Sequence, residues 1–356
     1  MPKSIPSLRT PVNVMTAGQL PRFTGPALLV VSLVLTAAVL SLVGTVHPAA
    51  VTIIGAVVFL LANFALSSSI EGRRRATDRL AAHTVTGFFI LALAPLVSLI
   101  WGTLVSGLAR MDFQFFAHSM RNVIGEGGGA AHAIWGTLII TGMATLFSVP
   151  IGLMAAIYLV EYGAGRRLAS AIRFFVDVMT GIPSIVAGLF AYTLFSLVMG
   201  PGTKVGIAGA VALSVLMIPT VVRSTEEMLR LVPSELREAS YALGVPKWRT
   251  ILRVVLPTSL AGIITGVVLA IARIIGETAP LLVTAGITSS LNTNPLAEPM
   301  ATLPVFVYYQ YVTPGIPQDP YIARAWAGAL TLILIVMLLN LAGRLIAWKF
   351  APKPGR

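Results

Sequence analysis

The chain has 356 residues, of which 56 % are apolar and only 11 % charged, and its formal net charge is +12. Soluble domains carry about 25 % charged residues, so a chain with a mean hydropathy of +0.88 has too few charges to cover a water-soluble fold of this size. The expected solvent is lipid. The basic excess lies in short segments between apolar runs rather than on one soluble face, which argues against a nucleic-acid binder. There is no cysteine, and the four histidines (His47, His83, His118, His132) are scattered, so neither thiol chemistry nor a metal site is expected.

In chain order, residues 1–25 are polar and basic, and Pro6, Pro11 and Pro21 oppose a long helix there. The apolar run at 26–46 exceeds the roughly 7–15 residues of a cleaved signal peptide, and no small-x-small site follows it, so it reads as a retained first helix. A bilayer needs roughly 20 apolar residues per helix. On that measure further spans are expected at 49–66, 85–108, 134–160, 172–199, 206–222, 259–287 and 326–348. Run length and the lack of strict alternation favour helices over a barrel.

These eight spans divide as a tight hairpin at 26–66, turning at His47 and Pro48, then a basic linker at 67–84. A six-helix core follows at 85–348, with a short tail at 349–356. The segment 288–325, with Tyr308, Tyr309 and Tyr311, is expected to cap one mouth of the bundle. The glycines at 125–129 read as a flexible loop.

Positive charges orient the spans. On alternate connections only Arg110, Arg121, Lys204 and Arg324 fall on one side, whereas the other basic residues, Arg273 apart, fall on the other. Both termini are therefore expected in the cytoplasm. Trp135 and Trp326 at the opposite ends of their helices from Trp348 agree with this orientation.

The connection at 223–258 holds the most information. Ser234 is suited to cap a short helix in which Leu236, Ala239 and Leu243 share a face. Gly244 then takes the left-handed cap conformation, and Pro246 opens a second short helix with Trp248, Ile251, Leu252 and Val255 along one stripe. Leu256-Pro257 is expected to break the chain before the next span. Such a pair of amphipathic helices either packs on its own bundle or presents itself to a groove on a partner.

Glu238-Ala239-Ser240, then Gly244, then Val254-Val255-Leu256-Pro257 resembles the EAA loop of type I ABC importer permeases, with Ser240 and Val254 as departures. The resemblance implies that Glu238, Ala239, Gly244, Leu256 and Pro257 couple the membrane helices to a cytoplasmic ABC ATPase dimer. No Gly-x-x-x-x-Gly-Lys-Ser/Thr occurs in the chain, so ATP and magnesium are expected on that partner and no cofactor or catalytic residue here.

Arg273 and Glu277 lie deep in the span expected at 259–287, where even low estimates put about 2.5–3.5 kcal/mol on an Arg or Asp. Read as one helix, their i,i+4 spacing puts both side chains on one face. They form either a structural clamp or a polar position on a translocation path. A guanidinium suits a tetrahedral oxyanion, since its planar fork donates two hydrogen bonds. Arg223 offers a second cation, and Arg173 with Asp177 reads as a plain i,i+4 ion pair.

Four stretches resemble the PstA-type permease of the phosphate importer: Ala156-Ile157-Tyr158-Leu159-Val160-Glu161-Tyr162, the run from Gly181-Ile182-Pro183 to Phe190, the run from Ala272 to Leu281, and Ala325-Trp326-Ala327-Gly328-Ala329-Leu330. The run Gly276-Glu277-Thr278-Ala279-Pro280-Leu281 is the most specific of them. The resemblance covers the chain from about Val85 and leaves the first hairpin without a role. It implies an all-α, MetI-like six-helix core in the plasma membrane, and Arg223 and Arg273 as basic positions on a phosphate path worked by alternating access. It further implies a second, PstC-type permease, an external phosphate-binding protein and inorganic phosphate as cargo. Two other functions fit the residues less well: import of another oxyanion by the same machinery, and a proton-coupled carrier using Arg273 and Glu277 as a relay.

Overall fold

The structure is a computed structural model and describes residues 20–21, 23–44 and 47–350. The terminal tails, where they cover 1–19 and 351–356, lie outside the described residues. All regular structure among the described residues is helical. In order the helices are α1 (Thr24–Leu42), α2 (Pro48–Ile70), α3 (Arg73–Leu108), α4 (Phe113–Ala117), α5 (Ala131–Ile157), α6 (Arg167–Thr180) and α7 (Ser184–Met199). They continue with α8 (Gly206–Arg230), α9 (Ser234–Ala242), α10 (Lys247–Thr250), α11 (Leu256–Ile274), α12 (Ala279–Thr284), α13 (Leu303–Val312) and α14 (Asp319–Phe350). Seven helices among the described residues are long and apolar enough to cross a membrane, or eight if the bent pair α6–α7 forms one span.

Two compact units divide at residue 100, inside α3. In the first, α1 and α2 form a hairpin whose buried positions are small or polar: Gly25, Ser32 and Thr36 on α1, and Gly55, Asn63 and Ser67 beside Phe59 on α2. Their apolar side chains point outward, the inverse of a soluble fold and the pattern of helices solvated by lipid. A β-carbon at Gly55 would come within 2.7 Å of Leu33 Cδ2, so any larger residue there would push that leucine side chain aside. The basic segment expected as a linker is largely helical. Ile70 ends α2 and Arg73 starts α3, with Glu71 at the turn.

Glu71 fastens that turn. Its carboxylate, 1 % exposed, accepts from the Leu20 N–H at 2.7 Å, from Ser67 Oγ at 2.7 Å and from Arg79 Nη2 at 2.7 Å. Burial alone would push the carboxyl up. The Leu20 N–H, the Ser67 hydroxyl and the Arg79 and Arg75 guanidiniums outweigh it and hold the group below the usual carboxylate range.

The second unit is built around α8, whose Ala208, Ala210, Ala212, Leu213, Met217, Val221 and Val222 are all buried. Small residues bring its neighbours close. A β-carbon at Gly152 of α5 would meet Val221 Cγ1 at 2.7 Å, and one at Gly188 of α7 would meet the Pro280 Cα of α12 at 2.6 Å. Ile140, Leu213, Met217, Ile274, Leu281 and Met300 fill the centre. A second cluster, with Leu159, Val176, Leu229 and Val255, packs the end that carries α9 and α10. A third, with Phe115, Leu303, Phe306 and Ala327, packs near Met120 and α13.

Two expected spans are not continuous helices. The one expected at 172–199 is α6 and α7, bent by 108°. Gly181 and Pro183 account for it: proline cannot donate to the preceding turn and disfavours helix at Ile182. The one expected at 259–287 stops at Ile274 and resumes at Ala279 with Pro280 in the first turn. At its other end the expected break at Leu256-Pro257 is absent. The chain passes from α10 through a π-turn at Ile251–Val255 straight into α11, and Pro257 follows where that turn has already interrupted the regular hydrogen-bond ladder.

The glycine run expected as a flexible loop is clamped by guanidinium groups. Arg324, fully buried, donates from Nη1 to Gly125 O at 2.7 Å and Gly127 O at 3.0 Å, and Arg110 Nη2 donates to Gly128 O at 2.9 Å. Gly125, Gly127 and Gly128 all have positive φ, which glycine adopts without strain.

Candidate coupling loop and translocation path

The coupling loop begins where α8 ends. Ser234 is the first helical residue of α9 and its side chain caps nothing; Pro233 precedes the helix. Gly244 has φ +74, the left-handed turn its position requires, and Gly244 N–H bonds Tyr241 O at 2.9 Å. Beyond the turn Pro246 leads into α10. Glu238 and Ala239 lie on the exposed face of α9. Leu243 is 83 % exposed and Trp248 55 %, a concentration of apolar surface on a loop that the chain itself does not cover. Leu256 is half-buried and Pro257 exposed at the start of α11.

Underneath, the loop is fixed. Ser240 and Thr250 are buried and meet hydroxyl to hydroxyl at 2.9 Å. Arg237 of α9 donates to Glu161 Oε1 at the foot of α5, and to the carbonyls of Leu229 and Val232 that end α8. Neither Glu161 nor Lys247, which donates to the Glu161 carbonyl, stood out from the sequence as a loop contact. Their partners are 76 and 86 positions away, beyond any local spacing rule.

The second group of residues lies along α8. Arg273, in the last turn of α11, is exposed and reaches Thr220 Oγ1 at 3.5 Å. Thr220 precedes Arg223 by three residues on α8, so the contact brings the Arg273 guanidinium onto the same strip of α8 as Arg223. Glu277 does not share a helix face with Arg273, because α11 ends at Ile274 and Glu277 lies in the turn before α12. Among the described residues no ion pair joins the two. Glu277 is half-buried, its N–H on Ile274 O at 3.1 Å.

Nor do Arg173 and Asp177 pair. Asp177 Oδ1 accepts from Arg223 Nη2 at 2.7 Å, and Arg173 turns to Glu226 Oε1 and Leu159 O, both at 3.3 Å. Cross-helix geometry overrides the i,i+4 spacing here: α6 lies against α8, so its charged face meets the charged end of α8. Arg173, Asp177, Arg223, Glu226, Glu227 and Arg230 line an open cleft of about 360 Å³. Alternating charges in an open cleft can exchange partners with a passing ion, since an exposed pair holds itself together by no more than about 1 kcal/mol. Among the described residues no group of His, Cys, Asp and Glu is arranged to hold a metal ion.

Residues 148–353 match the family model for the binding-protein-dependent transport system inner membrane component, the class of multi-span subunits in ABC importers. The chain is 46 % identical over 277 residues to phosphate transport system permease protein PstA 1 of Mycobacterium tuberculosis, an alignment that covers 77 % of this chain and 90 % of that one. It is 41 % identical over 273 residues to phosphate transport system permease protein PstA of Yersinia pestis, with the same coverage of 77 % and 90 %. Among solved structures it resembles the inward-facing MetNI methionine ABC transporter, with a TM-score of 0.51 and 23 % identity over 62 % of this chain and 96 % of that one. It also resembles a bacterial alginate ABC transporter in complex with an alginate-loaded periplasmic protein, with a TM-score of 0.56 and 14 % identity over 78 % and 96 %. At those identities the likeness is one of fold. The chain belongs to the family of binding-protein-dependent inner membrane components and, within it, to the PstA-type permeases.

Proposed function

We propose that the chain is one of two permeases in an ATP-driven importer of inorganic phosphate, and that it provides part of the anion's path by alternating access. The carrying observation is the contact of Arg273 with Thr220, which lines up two guanidinium groups along one strip of α8. Two permanent cations with forked donors suit a doubly charged tetrahedral anion, and the relatives' names point to the same cargo. Arg223, Arg273 and Glu277 are the residues assigned to the path. The second permease is of the PstC type, an external phosphate-binding protein delivers the anion, and an ATPase dimer that binds ATP and magnesium docks on Glu238, Ala239, Gly244 and the start of α11 at Leu256 and Pro257. The chain itself hydrolyses nothing. The asymmetry of basic residues supports a cytoplasmic side for α9, α10 and both termini.

The test is reconstitution of all four kinds of subunit in liposomes with labelled phosphate. The expected uptake requires ATP on the side of α9 and α10 and the binding protein on the other, and resists excess sulfate. Uptake driven by a proton gradient without ATP overturns the reading, as does preference for a different oxyanion.

A further inference from the structure

Glu161 lies off the strip that carries the two proposed path cations, and its buried carboxylate is paired with Arg237. Its side chain is 5 % exposed. Oε1 accepts both Arg237 Nε at 3.1 Å and Arg237 Nη2 at 2.9 Å. Its main-chain carbonyl accepts Lys247 Nζ, and that ammonium stands 4.9 Å from the centre of the Tyr162 ring. Arg237 belongs to α9 and Lys247 to α10. One residue therefore holds both helices of the exposed loop, whose mutual position is already set by Ser240 and Thr250. Glu161 lies in a five-residue π-turn, Tyr158–Tyr162, that closes α5. A second π-turn, Ile251–Val255, connects the same loop to α11. Such turns interrupt the regular helix ladder and concentrate at functional positions.

We propose that Glu161 is the positioning residue through which movement of α9 and α10 is passed to α5, and so to the helix pair α5–α8 beside the anion path. Separating Glu161 from Arg237 would strand a charge with almost no access to water, so loop and helix end move as one body. Without this strut the loop would lose its ion pair with the end of α5, and its movement would not be passed to that helix. The proposal rests on the reading of the loop as an ATPase dock.

The test uses the complete reconstituted complex with Glu161→Gln, which keeps the shape and removes the charge. ATPase retention, ATP hydrolysis and phosphate uptake are measured on one preparation. The expected result is an assembled complex that hydrolyses ATP within about twofold of the wild type while phosphate moved per ATP falls about tenfold, a typical size for a coupling contact. Glu161→Asp, which restores the charge, is expected to recover part of that ratio. An unchanged ratio in Glu161→Gln overturns the proposal. So does loss of the ATPase, which would make Glu161 an assembly contact. If Glu161→Gln does not insert, Arg237→Lys carries the same measurement and the same outcomes, because it keeps the charge and removes the fork. Failure of the underlying reading shows separately: with Leu243→Glu on the exposed surface, a complex that retains its ATPase and normal uptake has no dock there, whatever Glu161 does.

Discussion

Ser240 and Thr250, ten positions apart, meet at 2.9 Å through their hydroxyl groups in a buried position, and this contact closes α9 on α10. Ser240 stands where the EAA pattern has its second alanine, so the bond is a local addition to the loop. Thr250 retains only a 3.5 Å contact with Pro246 O when the serine hydroxyl is removed. Ser240→Ala is therefore expected to loosen the loop by about 1 kcal/mol. Amide exchange across 234–250 should quicken by roughly fivefold with the membrane helices unaffected; unchanged exchange would mean the bond contributes nothing.

Gly244→Leu separates the cost within the chain from the cost at a partner. The φ of +74 makes a β-carbon unfavourable by about 1 kcal/mol, yet no atom lies within 4 Å of where it would stand. Folding and membrane insertion should survive. ATP-driven uptake is expected to be lost, because the leucine would project into the surface proposed to meet the ATPase. Normal transport by a normally assembled variant would remove this turn from the coupling machinery.

Glu71 gives the first unit a pH dependence of known sign. Its carboxyl is held below the usual value of 4.5 in the folded chain, so its contribution to stability is complete above that value and is lost as pH falls through the depressed one. Protection of the Leu20 amide, which donates to Glu71, should disappear in that acid window. Glu71→Gln is expected to abolish the pH dependence; a midpoint above 4.5 would contradict the assignment.

Eight apolar runs, the two short helices between α8 and α11 and the turn at Gly244 were legible because each depends on local pattern: run length, amphipathic stripe, or the steric freedom of one residue; the loop itself starts after Arg230 rather than at residue 223. The break inside α6–α7 was also signalled, by Gly181 and Pro183, but an apolar run long enough to span hides a bend. Pro257 misled in the other direction, since a π-turn just before it lets the helix run through the proline. Charge pairing was the least legible. Spacing favoured Arg173 with Asp177 and Arg273 with Glu277, whereas the structure pairs Arg223 with Asp177 and Arg237 with Glu161, 46 and 76 positions apart. Such pairs depend on which helices become neighbours.

The pair Arg223–Asp177 is 49 % and 64 % exposed on its two sides and is worth at most about 1 kcal/mol to stability. A pair that weak can yield its cation to an arriving phosphate and reclaim it afterwards. Asp177→Asn should leave the subunit as stable as before but hold phosphate longer. In the reconstituted complex the apparent KM and the maximal rate are both expected to fall, by roughly fivefold for about 1 kcal/mol. A raised KM at constant rate would instead give Asp177 a part in admitting the anion.

Arg273 and Glu277 allow the sharpest test, because the structure separates what their spacing joins. With α11 ending at Ile274 and no ion pair between them among the described residues, neither neutralises the other. Arg273→Gln should still insert and assemble, since the side chain is exposed and its one contact, with Thr220, is long. Uptake is expected to fall by roughly a hundredfold, the factor carried by about 3 kcal/mol of charge-assisted hydrogen bonding to the anion. Glu277→Gln should act on its own, and the two effects should add in the double variant. Were Arg273 only a partner for Glu277, replacing both would remove the stranded charge and restore transport. A double variant that regains uptake would therefore take Arg273 off the phosphate path and make it a clamp, whereas one that stays inactive would support the place on that path proposed for the Arg273 guanidinium.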